Sequence, residues 1–361
     1  MSEKKLTLVT GAPGWLGTNL VKALSDGLPE VEGLEHPLPR RIKCLVQHGE
    51  SPHILSQINP DVQICPGDVR EIKELTDFFE GSEGATLFHI AGIVHPTKGI
   101  RELFEVNARG TWKIIEAAEQ ARIKRIIAVS SNSPMGCNSK PDEVFNESSP
   151  YNPYMSYGKS KKMMEDAVNE AYRRGNIETV ILRIPWFYGL YQPPRQSLFF
   201  KMIRDGKAPL LGGGIHKRSM SYVDNSCQGL LLSEITEKAN GETYWIADER
   251  PYPMFEIIET VEKLLEGEFN IKCSHKRMKL PSFVGDAAEF IDGLIQKTGL
   301  YNQKIHVLSE MNKTIACSVD KAKKDLNYKP AISLEEGMRR SLSSIFEGKP
   351  DPSKYLDSIP N

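Results

Sequence analysis

Over the first 190 positions, short apolar runs alternate with stretches whose apolar residues recur every three or four positions. The run LTLVT (6–10) is rich in β-forming residues and stops at Gly11. WLGTNLVKALSDG (15–27) has apolar residues at 16, 20, 21 and 24, which is one face of a helix, and closes on Gly27. LPEVEGLEHPLPRR (28–41) is Pro/Gly-rich and reads as an exposed loop. Strands are predicted at 42–47, 62–68, 86–92, 124–131 and 178–189. Between them come a short helix ending near Phe79 and long helices at 101–122 and 155–174. This alternation predicts an α/β, Rossmann-type doubly wound parallel sheet with helices on both faces.

After position 190 the texture changes. YQPPRQ breaks the regularity, the helix SLFFKMIRDG follows, and APLLGGGIHKRSMSYVDN reads as loop and strand. TYWIADERPYPMFEIIETVEKLLEG is a strand, a Pro turn and a helix. The expected division is a dinucleotide-binding domain over 1–190, a smaller mixed substrate lobe over 191–345 with some segments returning to the sheet, and a mobile polar, Pro-rich tail over 346–361.

Composition narrows the function classes. Of the 361 residues, 40% are hydrophobic and 26% charged, and 46 Lys+Arg nearly cancel 47 Asp+Glu. No basic excess suggests nucleic acid. No apolar run is long enough to span a membrane, and no signal-peptide core follows the charged start, so a cytoplasmic protein is expected. The six cysteines form no C-x-x-C and the eight histidines no H-E-x-x-H, so reduced thiols and no metal site are expected.

The candidate chemistry gathers at strand ends. LVTGAPGWLG puts Gly11, Gly14 and Gly17 between the first strand and the first helix. A sharp reversal and a close approach to pyrophosphate both need residues without Cβ, and the helix that follows aims its amides at that anion. The second strand ends at Gln47 and His48, with neither an acid for a ribose 2′-hydroxyl nor a following base for a 2′-phosphate, which leaves NAD or NADP open. Asp68, in GDV, can bond an adenine amino group, and the small residues of HIAG, ending at Gly92, suit close passage of a cofactor. In PYMSYGKSK, Tyr157 and Lys161 lie one helical turn apart and share a face.

In this order the motifs TGAPGWLG, GDVRE, LFHIAG, EVNARGTWKIIEAA, VSSNSPMG, PYMSYGKSK, LRIPWFYG, RSMSYVDN and SVDKAKKDLNYKPAISLEEGMRRSL resemble the extended short-chain dehydrogenase/reductase superfamily over nearly the whole chain. That superfamily includes nucleotide-sugar epimerases, dehydratases and 3β-hydroxysteroid dehydrogenase-like enzymes. The resemblance makes Tyr157 the acid/base and Lys161 its partner. It draws the catalytic serine from VSS, where counting back from Gly136 favours Ser131 over Ser130. It implies cofactor contacts from Gly11, Gly14, Trp15, Leu16 and Gly17, then Gln47, Asp68 and Val69, then Ala91, Gly92 and Asn107, with Tyr157, Lys161 and Pro185 completing the set. The chemistry requires such groups: a free phenol titrates near pH 10, and a neighbouring ammonium and a positive nicotinamide ring favour its phenolate.

For the substrate the signs divide. Arg218 stands where nucleotide-sugar enzymes of the superfamily hold a diphosphate. Trp186, in LRIPWFYG, suggests a flatter and more apolar molecule, and the segment before the C-terminal motif looks like that of 3β-hydroxysteroid dehydrogenase-like proteins. The expected activity is hydride transfer between nicotinamide and a secondary alcohol or ketone. A UDP-sugar epimerase or dehydratase is the alternative, and a non-catalytic dinucleotide sensor a lesser one. The helices 101–122 and 155–174 resemble the pair that forms the homodimer in this superfamily.

Overall fold

The alternation of strand and helix over the first 190 positions is present, with changed boundaries, in the computed structural model, which describes residues 5–360. The first four residues of the expected dinucleotide domain, and Asn361 of the expected tail, lie outside the described residues. The strands are β1 (Lys5–Thr10), β2 (Arg40–Val46), β3 (Gln63–Pro66), β4 (Thr86–His89), β5 (Arg125–Ser130) and β6 (Glu178–Arg183). They lie parallel in the order β3–β2–β1–β4–β5–β6, and a seventh strand, Glu242–Trp245, adds beside β6. The order in which successive strands are added reverses between β1 and β4, so a crevice opens beyond their C-terminal ends. The helix α1 (Trp15–Asp26) buries Leu16, Leu20, Val21 and Leu24, the stripe its spacing predicts, and Gly27 caps it in a positive-φ conformation.

Several expectations need correction. β4 ends at His89, so Ile90–Gly92 is the loop leaving its C-terminal edge. The strand expected over 178–189 is two: Ile184 N still reaches Ser130 O (3.2 Å), but Pro185 has no N–H to continue the ladder. Trp186–Tyr188 then pairs with Met220–Tyr222, away from the main sheet. The loop over 28–41 is not simply exposed. Backbone bonds among Leu28, Val31 and Leu34 fold it tightly, these three side chains are buried against α1, and Arg40 and Arg41 already belong to β2. The long helix after β4 ends at Gln120 and contains a π-helical stretch, Phe104–Gly110. The expected mobile tail contains a helix, Pro352–Ser358, which buries Leu356. Lys201 donates to Ile359 O (2.5 Å) and Arg204 pairs with Asp357 (2.7 Å).

The segment after β6 builds a second apolar cluster, with Tyr188, Phe200, Tyr222, Ile257 and Leu342 at its centre. Two helices of this segment, Phe283–Lys297 and Gln303–Glu310, form a hairpin against the start of the long helix Met155–Arg174. Gln296 Oε1 accepts from Ser156 N (3.0 Å), and Ser309 bonds the Tyr154 hydroxyl (2.7 Å).

Candidate active site

The glycine turn is built by contact. A Cβ on Gly11, whose φ is +87°, would lie 2.6 Å from Ala91 N, and one on Gly17 would lie 2.4 Å from Gly11 O. Both positions exclude a side chain, so β1, α1 and the Ile90–Gly92 loop meet backbone to backbone. Gly14 caps α1, and Thr18 N is the first amide to find an acceptor there, Gly14 O (2.8 Å). The amides of Trp15, Leu16 and Gly17 precede it, where a helix has donors without intrahelical acceptors. The Trp15 ring donates to Leu190 O (2.6 Å) and packs edge-on against Phe187.

A line of contacts joins this turn to the tyrosine helix. A Cβ on Gly92 would lie 3.2 Å from Asn107 Oδ1 and 3.9 Å from Lys161 Nζ. Asn107 lies in the π-helical stretch. It bonds Ile93 N (2.8 Å) and O (2.9 Å), and its amide reaches Ser160 Oγ (3.0 Å), which in turn bonds Tyr157 O (2.8 Å). Beneath it, His89 bridges Thr10 (2.8 Å) and Thr111 (2.9 Å). Burial, then the Lys161 charge, lowers the His89 pKa to about 3, so it is a neutral link at physiological pH.

The two serines of VSS have different partners. Ser130 Oγ donates to Glu165 (2.5 Å), inside a buried network where Glu165 also binds Arg183 (2.7 Å) and Tyr151 (2.7 Å). Ser131 is buried, accepts from Ser133 N (3.1 Å) and lies near enough to the Tyr157 phenol to lower its pKa. The counted position thus faces the phenol. Gly158 permits the approach, since a Cβ there would lie 2.4 Å from Ser133 O, and Tyr154 N bonds the same carbonyl (2.9 Å). Met155, two residues before Tyr157, has a φ of +51°, a strained start to the helix.

The electrostatics depart from expectation. Burial raises the Tyr157 phenol to about 12, with Ser131 pulling the other way, so the protein's own groups do not make it acidic. Lys161 Nζ donates to Val129 O (2.6 Å), and burial lowers its pKa to about 8, opposed by Glu165. For each group the loss of hydration outweighs what its neighbours return to the charged form.

The remaining expected residues lie around this centre. Gln47 is exposed at the C-terminal end of β2, and Val69 is buried after β3. The Asp68 carboxylate is gripped by Arg70 (2.6 Å), which holds its pKa below the usual range. Pro185 is buried, and Trp186 packs edge-on against Phe199. Arg218 is buried, and its guanidinium donates to the carbonyls of Glu310 and Lys313 instead of lying open to a diphosphate. Glu310, which ends the hairpin, and Lys313 just beyond it thus occupy donors on both terminal nitrogens of that arginine. Sequence reasoning missed the far wall. His95 bonds the Tyr301 hydroxyl (2.7 Å), Tyr301 packs on His306, and His306 bonds the buried Asp292 (2.7 Å). No motif marks these residues, which come from segments about 200 positions apart.

A parallel sheet in this order, with a glycine turn leading into α1 and a Ser–Tyr–Lys group beside it, defines a dinucleotide-dependent enzyme fold. The sequence profile of the NAD dependent epimerase/dehydratase family matches residues 7–247. The chain belongs to this family, within the extended short-chain dehydrogenases/reductases, and is an NAD-dependent enzyme. It is 46% identical over 339 residues, covering 93% of this chain and 94% of the relative, to "Uncharacterized protein y4nL" of Sinorhizobium fredii (strain NBRC 101917 / NGR234). It is 26% identical over 301 residues, 79% of this chain and 67% of the relative, to 3beta-hydroxysteroid-dehydrogenase/decarboxylase isoform 1 of Arabidopsis thaliana. Its fold is shared with the dTDP-glucose 4,6-dehydratase DesIV of Streptomyces venezuelae, crystallised with NAD and TYD, at TM-score 0.73 and 22% identity over 95% of this chain and 97% of that one.

Proposed function

We propose that the protein is an NAD(P)-dependent oxidoreductase that moves a hydride between nicotinamide and a secondary alcohol or ketone, in the manner of 3β-hydroxysteroid dehydrogenase-like enzymes. The observation that carries this reading is the juxtaposition of Ser131, Tyr157 and Lys161 with the Gly11 turn, through Gly92 and Asn107. The close backbone packing at Gly11 and Gly17 shapes the turn, and the amides of Trp15, Leu16 and Gly17 that precede the first helical bond would hold a pyrophosphate at the start of α1. Asp68, Val69 and Gln47 would face the adenosine half, and Ala91, Asn107, Pro185 and Lys161 the nicotinamide half. Bound there, the nicotinamide supplies the two-electron hydride acceptor or donor.

The chain's own groups handle the proton. In the oxidising direction Tyr157 Oη, as the phenolate that a bound positive nicotinamide ring would favour, takes the proton of the substrate hydroxyl while the substrate's C–H bond breaks, and in the reducing direction the phenol returns that proton to the carbonyl oxygen. Ser131 Oγ, already accepting from Ser133 N, keeps its own proton to donate to the same oxygen. Lys161, one turn along the helix and bonded to Val129 O, would reach the nicotinamide half of the cofactor with its remaining donors. Arg218 turned to carbonyls and Trp186 beside Phe199 both support an uncharged substrate with apolar surface over a nucleotide sugar.

We also propose a homodimer through the helices 101–120 and 155–174, supported by the exposed Trp112, Met163 and Tyr172 on them. A cytoplasmic location is supported by six unpaired cysteines. The test of function is to mix purified protein, NAD or NADP and a panel of secondary alcohols, sterols included, and follow the reduced-nicotinamide absorbance. Substrate-dependent growth of that band is expected. Protein that retains NAD through purification and interconverts UDP-sugars with no net NADH would overturn the reading in favour of an epimerase.

A further inference from the structure

The helix Phe283–Lys297 is amphipathic in the wrong sense for a helix that packs on a protein core. Its buried positions are Gly285, Ala288, Asp292 and Gln296, all small or polar. Its outward stripe is Phe283 (68% exposed), Phe290 (69%), Ile291 (47%) and Leu294 (47%). These four recur at the spacing of one helix face, and Leu300 and Val307 extend the apolar surface into the next helix. The inward polar residues have partners: Asp292 bonds His306, and Gln296 bonds Ser156 N beside the catalytic tyrosine. The outward apolar residues are left exposed among the described residues, and a contiguous surface of this kind marks an interaction site.

The charges around the stripe select the occupant. Lys279, Lys297 and Lys304 are exposed at its two ends. The acids of the same helix are already committed, since Asp286 and Glu289 pair with Lys313 and Asp292 is buried. A second copy seated on the stripe about a two-fold axis would bring three lysines of each copy together against the one carboxylate charge left over where Asp286 and Glu289 share Lys313. A surface of anionic lipid headgroups complements all three and accepts the Phe and Leu side chains below the headgroups.

We propose that the hairpin 283–310 docks the protein on an anionic membrane surface, lying in the interface without crossing it. No helix among the described residues is long and apolar enough to cross. The hairpin also forms the crevice wall through Tyr301 and His306, so docking sets the mouth of the active site against the bilayer, where apolar alcohols and ketones partition. The docking surface stands whichever substrate the site oxidises.

The test is co-sedimentation of the full-length protein with vesicles of phosphatidylcholine alone or with added phosphatidylserine. The protein should pellet with the phosphatidylserine vesicles and stay in solution with phosphatidylcholine alone. The double variant Phe290→Ser/Leu294→Ser should lower the apparent affinity about tenfold or more, and Lys297→Glu/Lys304→Glu should remove the dependence on anionic lipid. Both variants should keep the wild-type quench of fluorescence by NADH, which shows that they are folded. Absence of wild-type protein from the anionic pellet, or equal pelleting of the Phe290/Leu294 variant, overturns the proposal. So does sedimentation velocity showing that the wild type self-associates through this face and that the variant does not.

Discussion

Tyr157 is held at a high pKa by burial, about 12, and Lys161 at a low one, about 8. The pair is therefore poised by desolvation more than by mutual attraction. Tyr157→Phe removes the proton-carrying oxygen and leaves the ring in place. It is expected to lower kcat about a thousandfold with little change in the dissociation constant for NADH, read by stopped-flow absorbance and fluorescence titration. Turnover unchanged after purification from a host lacking the activity would mean that another group moves the proton. Lys161 also carries a stability signature. Its folded pKa is depressed from 10.5 to about 8, so between those values the unfolded chain holds a proton that the folded chain has released. Its contribution to stability therefore rises with pH across that window, by up to about 1.4 kcal/mol per pH unit. Urea titrations of wild type and Lys161→Met from pH 8 to 10.5 should show the steeper rise in the wild type only.

At the level of elements, two junctions decide whether the site forms. The first is the meeting of β1, α1 and the loop after β4. Alanine is the better helix former, yet Gly17→Ala drives a Cβ to 2.4 Å from Gly11 O. The turn must open, and the affinity for NAD should fall at least about tenfold, or ~1.4 kcal/mol, in an isothermal titration. The second is the buried joint between β5, β6 and the tyrosine helix, where Glu165 holds Ser130, Tyr151 and Arg183. Glu165→Ala strands the Arg183 charge and should cost about 3–5 kcal/mol in urea unfolding. A loss below 1 kcal/mol would mean that water replaces the carboxylate there. The sequence separates these junctions unevenly. The glycine spacing announces the first. The second was invisible, because Ser130 and Ser131 differ only in which side of the strand end each one faces.

Across the whole molecule, the segment after 190 does more than form a lobe. It returns a strand to the sheet, walls the crevice with the hairpin 283–310, and ends in a packed helix. Leu356 in that last helix is fully buried, so Leu356→Ala should cost about 2–5 kcal/mol, measured by urea unfolding. A loss under about 0.5 kcal/mol would restore the reading of a detached tail. The tail's polar, Pro-rich composition suggested mobility because Phe346 is separated by a polar run from Tyr355, Leu356 and Ile359, the other residues that pack on the core, and they form no visible stripe.

What the sequence determined alone was local: the alternation of strand and helix, the glycine turn, and the one-turn spacing of Tyr157 and Lys161. These depend on period, steric permission and short-range geometry, which neighbouring residues encode. Tertiary structure decided which serine faces the phenol, that the phenol is raised instead of acidified, and that Arg218 spends its donors on the hairpin's carbonyls. It also placed Tyr301 and His306 opposite the site and left Phe290 facing outward. Burial and partnership are set by segments far apart in the chain, and no local pattern carries them.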